Sequence, residues 1–72
     1  MDRQSFFEGL KDTLELEDKL GEETQIHLTS LSTLAIIAYV DENFERRVKV
    51  ADLKNVGTVS DLMDLIGRDK FS

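Results

Sequence analysis

Ser30 and His27 are the residues of this chain whose types and spacing come nearest to chemistry. A serine hydroxyl is a weak nucleophile near neutral pH unless a base takes its proton. His27, the single histidine, lies three residues earlier. A hydrolase built on this pair would also need an acid to orient the imidazole, an oxyanion hole and an enclosed pocket. A chain of 72 residues hardly supplies all of these, so an enzyme is the class the sequence argues against. Ser30 reads better as an acceptor, a hydroxyl at the seam between a polar loop and a long apolar segment that other machinery can modify. The plainer alternative is a helix N-cap serine, stabilising by ~1 kcal/mol. His27 reads as a loop or surface residue.

Metal chemistry has little to stand on. One histidine among scattered carboxylates makes a poor transition-metal site. The acidic run Glu15, Glu17, Asp18, Glu22 and Glu23 lacks the spacing and central glycine of an EF-hand loop and reads as a solvated face. There is no cysteine, which excludes disulfides and thiolate metal sites and suits a reducing cytoplasm. The formal net charge is −6, so nucleic acid is an unsuitable partner. The charge is unevenly spread. Residues 1–45 hold eleven acids against three bases, and residues 46–72 hold four against six. Arg46, Arg47, Lys49 and Lys54 cluster after the long apolar segment, so a partner would meet two faces of opposite sign. No apolar run approaches the ~20 residues needed to span a bilayer. Met1-Asp2-Arg3-Gln4-Ser5 does not resemble a signal peptide. The expectation is a monomeric cytoplasmic protein.

The elements that must position Ser30 are helical. Proline is absent, and 72 residues suffice for one small domain. A first helix is expected over about 2–16. Ser5 and Glu8 read as a capping box, Phe6, Phe7, Leu10 and Leu14 form its stripe, and Gly9 weakens it by about 1 kcal/mol. Residues 17–29 read as a loop anchored by Leu20, Ile26 and Leu28, long enough to suggest a function. A second helix is expected over about 30–46, with Leu31, Leu34, Ile37, Val40 and Phe44 inward and Ile36 and Tyr39 off the stripe. Val48 and Val50 are expected to tuck in from an extended link. A short helix follows over about 52–56, closed by Gly57. Thr58 caps a last helix over about 58–67, with Asp61 in its first turn and Val59, Leu62, Met63, Leu65 and Ile66 as its apolar side. Residues 68–72 read as a frayed tail. The fold class expected is an all-α four-helix bundle with three main helices, one short helix and a long first loop.

The stretch from Ser30 to Phe44, Ser-Leu-Ser-Thr-Leu-Ala-Ile-Ile-Ala-Tyr-Val-Asp-Glu-Asn-Phe, resembles the second helix of acyl carrier proteins. The helix order and proportions resemble that family over nearly the whole chain. The resemblance implies a carrier-like four-helix bundle over residues 1–72. It implies a 4′-phosphopantetheine arm on Ser30, attached by a phosphopantetheinyl transferase that draws on coenzyme A. The arm would hold acyl groups as thioesters for acyl-activating and acyl-transferring enzymes. Leu31, Leu34 and Ile37 would pack beneath the arm, and Thr29, Leu31, Asp41, Glu42 and Glu45 would meet partners. The chain departs from the family in two places. Aspartate usually precedes the serine, and here Thr29 stands there. Acids are common near the start of the second helix, where this chain has Ser32 and Ala35. The pattern of Ile37-Ala38, Asp41-Glu42 and Phe44 is similar to specialised carriers of bacterial polysaccharide or secondary-metabolite synthesis. The alternative is a carrier-like fold that stays unmodified and serves as a protein-interaction module.

Overall fold

The structure, a computed structural model, describes residues 1–71. They form an all-α fold of four helices: α1 (Arg3–Thr13), α2 (Ser30–Phe44), α3 (Val50–Leu53) and α4 (Val59–Ile66), followed by a 3-10 turn over Arg68–Lys70. No strand forms among the described residues; Gln25 and Thr58 make one isolated bridge. No helix among them is long and apolar enough to cross a membrane.

α1 begins one turn before the expected capping box. Asp2 is its cap, and its carboxylate accepts from Ser5 N–H at 2.7 Å. Ser5 therefore sits inside the first turn, where its hydroxyl has no capping duty. The helix also stops earlier than residue 16. Glu15 turns left-handed at φ 55°. Leu16 N–H then returns to the Lys11 carbonyl at 2.9 Å and Glu15 N–H to the Asp12 carbonyl at 3.2 Å. This pairing is a Schellman closure, and it satisfies carbonyls the helix end would otherwise strand.

The long loop is fixed by the start of α4. Thr24 and Glu22 carbonyls accept from Val59 N–H (3.0 Å) and Ser60 N–H (2.8 Å), and Ile26 N–H donates to the Gly57 carbonyl (2.9 Å). Loop and helix thus meet each other's backbone needs, with Ile26 buried at the junction. Thr58 caps α4, as the sequence predicts, and Asp61 does more than sit in the first turn: its carboxylate accepts back from Thr58 N–H and completes a capping box.

The core comprises Phe6 and Leu10 from α1, Ile26 from the loop, Ile36 and Val40 from α2, Val48 from the link, Leu53 from α3, and Val59, Leu62, Met63 and Ile66 from α4. α2 is rotated from the expected stripe. Ile36 is wholly buried, while Leu31 is 79% exposed and Leu34 62%. The cause is a close crossing with α1. Gly9 leaves room that a β-carbon would contest with the Tyr39 hydroxyl and ring. Tyr39 donates to the Phe6 carbonyl at 3.3 Å, and its ring lies 6.0 Å from that of Phe6. This docking turns Ile36 inward and the two leucines outward.

Two further expectations are corrected at the far end. α3 starts at Val50, two residues before the expected position, because the Asp52 carboxylate reaches back to Lys49 N–H at 3.1 Å. Val50 is half exposed as a result, whereas Val48 is buried. The segment after Gly67 is not frayed through residue 71. Phe71 packs edge-on against Phe6 at 4.9 Å and lies 5.3 Å from Phe44. Arg68 pairs with Glu22 and Asp64, so Glu22 is a structural contact within the supposedly solvated acidic face. Ser72, also assigned to the tail, lies outside the described residues.

Candidate functional site

Ser30 is the first residue of α2, and the residue before it does the capping. Thr29 is extended (φ −90°, ψ 174°), and its Oγ1 accepts from Ser32 N–H at 3.1 Å. The same hydroxyl donates to Ser32 Oγ at 3.1 Å. The Thr29 carbonyl accepts from Thr33 N–H (2.9 Å) and Thr33 Oγ1 (2.8 Å). With Thr29 committed to the helix, the Ser30 hydroxyl has no hydrogen-bond partner among the described residues, and Ser30 is exposed. The N-cap role open to Ser30 in the sequence belongs to Thr29.

A groove of about 560 Å³ opens beside Ser30. It is lined by Leu28, Thr29, Ser30, Thr33 and Leu34 from the loop and α2, and by Val50, Leu53, Lys54 and Val56 from α3 and the residues after it. The loop before α2, the start of α2, and Val50 and Leu53 of α3 therefore frame the hydroxyl. Five of these residues are apolar, and Lys54 is the one that carries a charge. Leu34 reaches the groove, while Leu31 stands outside it and open to solvent. Ile37 packs against the core instead of lining the groove.

The remaining candidate residues are spread out. Asp41, Glu42 and Glu45 are exposed at the far end of α2, beginning about 16 Å along the axis from Ser30 at a rise of ~1.5 Å per residue. From Ser30 to Val40, α2 has no charged residue at all. His27 is exposed and lines neither this groove nor a second one formed by Asp52, Asn55, Val56, Asp61, Asp64 and Leu65. The second groove gathers carboxylates, yet among the described residues no group of three or more such ligands is disposed to hold a metal ion. Asp61 is occupied by the α4 cap. Gly57 N–H (3.0 Å) and Thr58 N–H (3.1 Å) donate to its carboxylate and hold its pKa below the ordinary value.

Sequence reasoning had not joined Val50, Val56 and Lys54 to Ser30. Lys54 was visible only as one of a basic cluster, because no periodicity signals that a four-residue helix will face the start of α2. The site offers a free hydroxyl, a half-enclosed apolar channel and one cation, with no histidine, carboxylate or thiol beside the hydroxyl to activate it. It is suited to being modified and to holding what is attached. No family model, curated protein or solved structure matches this chain.

Proposed function

We propose that this protein is an acyl carrier with a carrier-type helical bundle, and that Ser30 is the attachment point for a 4′-phosphopantetheine arm. The observation that carries the reading is the unpartnered Ser30 hydroxyl at the mouth of an apolar groove. The residues present fit such an arm. Ser30 offers the oxygen, Lys54 a charge opposite to that of a phosphodiester, and Leu28, Leu34, Val50, Leu53 and Val56 a lining for methyl and methylene groups. The arm, when bound, supplies a thiol that holds acyl groups as thioesters. The chain itself anchors, shelters and presents.

The attachment needs a separate transferase, since nothing beside Ser30 can accept its proton. Ser30 Oγ forms a bond to the phosphorus of coenzyme A that bears the pantetheine. The pyrophosphate bond breaks, adenosine 3′,5′-bisphosphate leaves, and the hydroxyl proton passes to the transferase. Acyl-activating and acyl-transferring enzymes are the further partners. Docking through Leu31 uses its exposure beside Ser30, with Asp41, Glu42 and Glu45 as an acidic patch further along α2.

Intact-mass measurement after incubation with coenzyme A and a broad-specificity transferase tests the reading. Wild type should gain one phosphopantetheine unit, and Ser30→Ala should gain none. No gain with any of several transferases would overturn it. That outcome would favour an unmodified carrier-like interaction module, a reading supported by the 79% exposure of Leu31 next to the 62% exposure of Leu34.

A further inference from the structure

We infer that Lys54 is a positioning residue, holding the phosphate of a Ser30-linked arm across the groove mouth so that the arm lies along the apolar wall. This rests on the carrier reading above. Ser30 and Lys54 line the same groove, Ser30 opening α2 and Lys54 following the last residue of α3. Lys54 is the single charged residue in that lining.

Its ammonium is also uncommitted. It makes no ion pair with the described residues. Asp52, the nearest carboxylate in sequence, accepts from Lys49 N–H and lines the other groove. The threonine hydroxyls of the lining are already committed. The Thr29 and Thr33 hydroxyls already donate, to Ser32 Oγ and to the Thr29 carbonyl. A phosphodiester arriving on a chain of net charge −6 would meet repulsion from most of the surface and attraction here. Pairing with Lys54 would draw the root of the arm over Leu34, Val50 and Leu53 and away from bulk water. Without it, no other charged side chain of the lining would favour that direction over the solvent.

Phosphorus-31 NMR of the loaded protein reads the contact directly. Wild type, Lys54→Met and Lys54→Arg are loaded from coenzyme A and checked by intact mass and by helical circular dichroism. At low salt the wild-type resonance should be displaced from that of Lys54→Met, and Lys54→Arg should restore the displacement. Raising salt to about 1 M, where the Debye length is ~3 Å, should move the wild-type resonance toward the Lys54→Met position and leave that variant unmoved. The wild-type titration stands alone if Lys54→Met fails to fold or load, and a resonance indifferent to salt would overturn the inference. Mass gain with identical resonances in all three proteins overturns this inference and leaves the carrier reading intact. Absence of mass gain in wild type overturns both.

Discussion

At position 9 the lack of a side chain lets α1 and α2 meet. An alanine there would gain about 1 kcal/mol of helix propensity. It would also push a β-carbon into the Tyr39 hydroxyl, which is held by the Phe6 carbonyl and cannot swing aside freely. Overpacking of this kind costs about 1–3 kcal/mol, so the clash wins. Gly9→Ala should lower the urea midpoint, and adding Tyr39→Phe should recover part of the loss. Tyr39 has a second consequence. Burial pushes its phenol pKa up, so the folded protein holds the proton more tightly than the unfolded chain does. The stabilisation is complete below the unfolded value of ~10 and is lost as pH rises through the folded one. Alkaline unfolding monitored by circular dichroism should show this limb in wild type, and Tyr39→Phe should flatten it. Gly9 looked like a weak point in the sequence because its partner is thirty residues away, and no local pattern links the two.

Among the elements, α4 was the most legible. Threonine at the cap, aspartate three residues on and a one-sided apolar pattern all point the same way, and Val59, Leu62, Met63 and Ile66 are all buried. Thr58→Ala should cost about 1 kcal/mol in chemical denaturation. Asp61 adds a pH dependence of known sign. Gly57 and Thr58 N–H groups lower its pKa, so the folded state favours the anion. That stabilisation is full above the unfolded value of ~3.9 and disappears as pH falls through the folded one. Asp61→Asn should therefore reduce the slope of stability against pH below about 4, a change thermal melts at stepped acid pH would detect. α2 was legible in its start at Ser30 but not in its rotation. Residues 34–40 are apolar all round, so spacing alone could not choose between Leu31–Leu34 and Ile36–Tyr39. α1 starts where residue 2 was expected to open it, but its cap is Asp2 and not the Ser5–Glu8 box; α3 was displaced because its cap is the Lys49–Asp52 pair, whereas Asp52 had been read as the start. The site inherited both errors: Ser30 was found, while the wall facing it was not.

For the whole molecule, the aromatic rings gather where the start and the end of the described chain meet. Phe6 contacts Phe7, Tyr39, Phe44 and Phe71, with ring centroids 4.9–6.0 Å apart. Phe71→Ala should cost about 2 kcal/mol, roughly half of the ~3–5 typical of a fully buried phenylalanine. In a domain of this size that lowers Tm by on the order of 10 °C, a shift calorimetry would resolve. The sequence hid this contact because one phenylalanine among charged neighbours carries no period, and only closure of the bundle brings it to Phe6. The radius of gyration, 10.9 Å, sits at the ~11 Å of a compact chain of this length. The outward turn of Leu31 and Leu34 bears on how fast anything could bind there. From Ser30 to Val40 the helix carries no charged side chain to steer a partner. Capture over those leucines would depend on chance collision and shape, at rates about 10⁵–10⁶ M⁻¹s⁻¹ that salt barely alters. Specificity would then be expressed in how long a visitor stays.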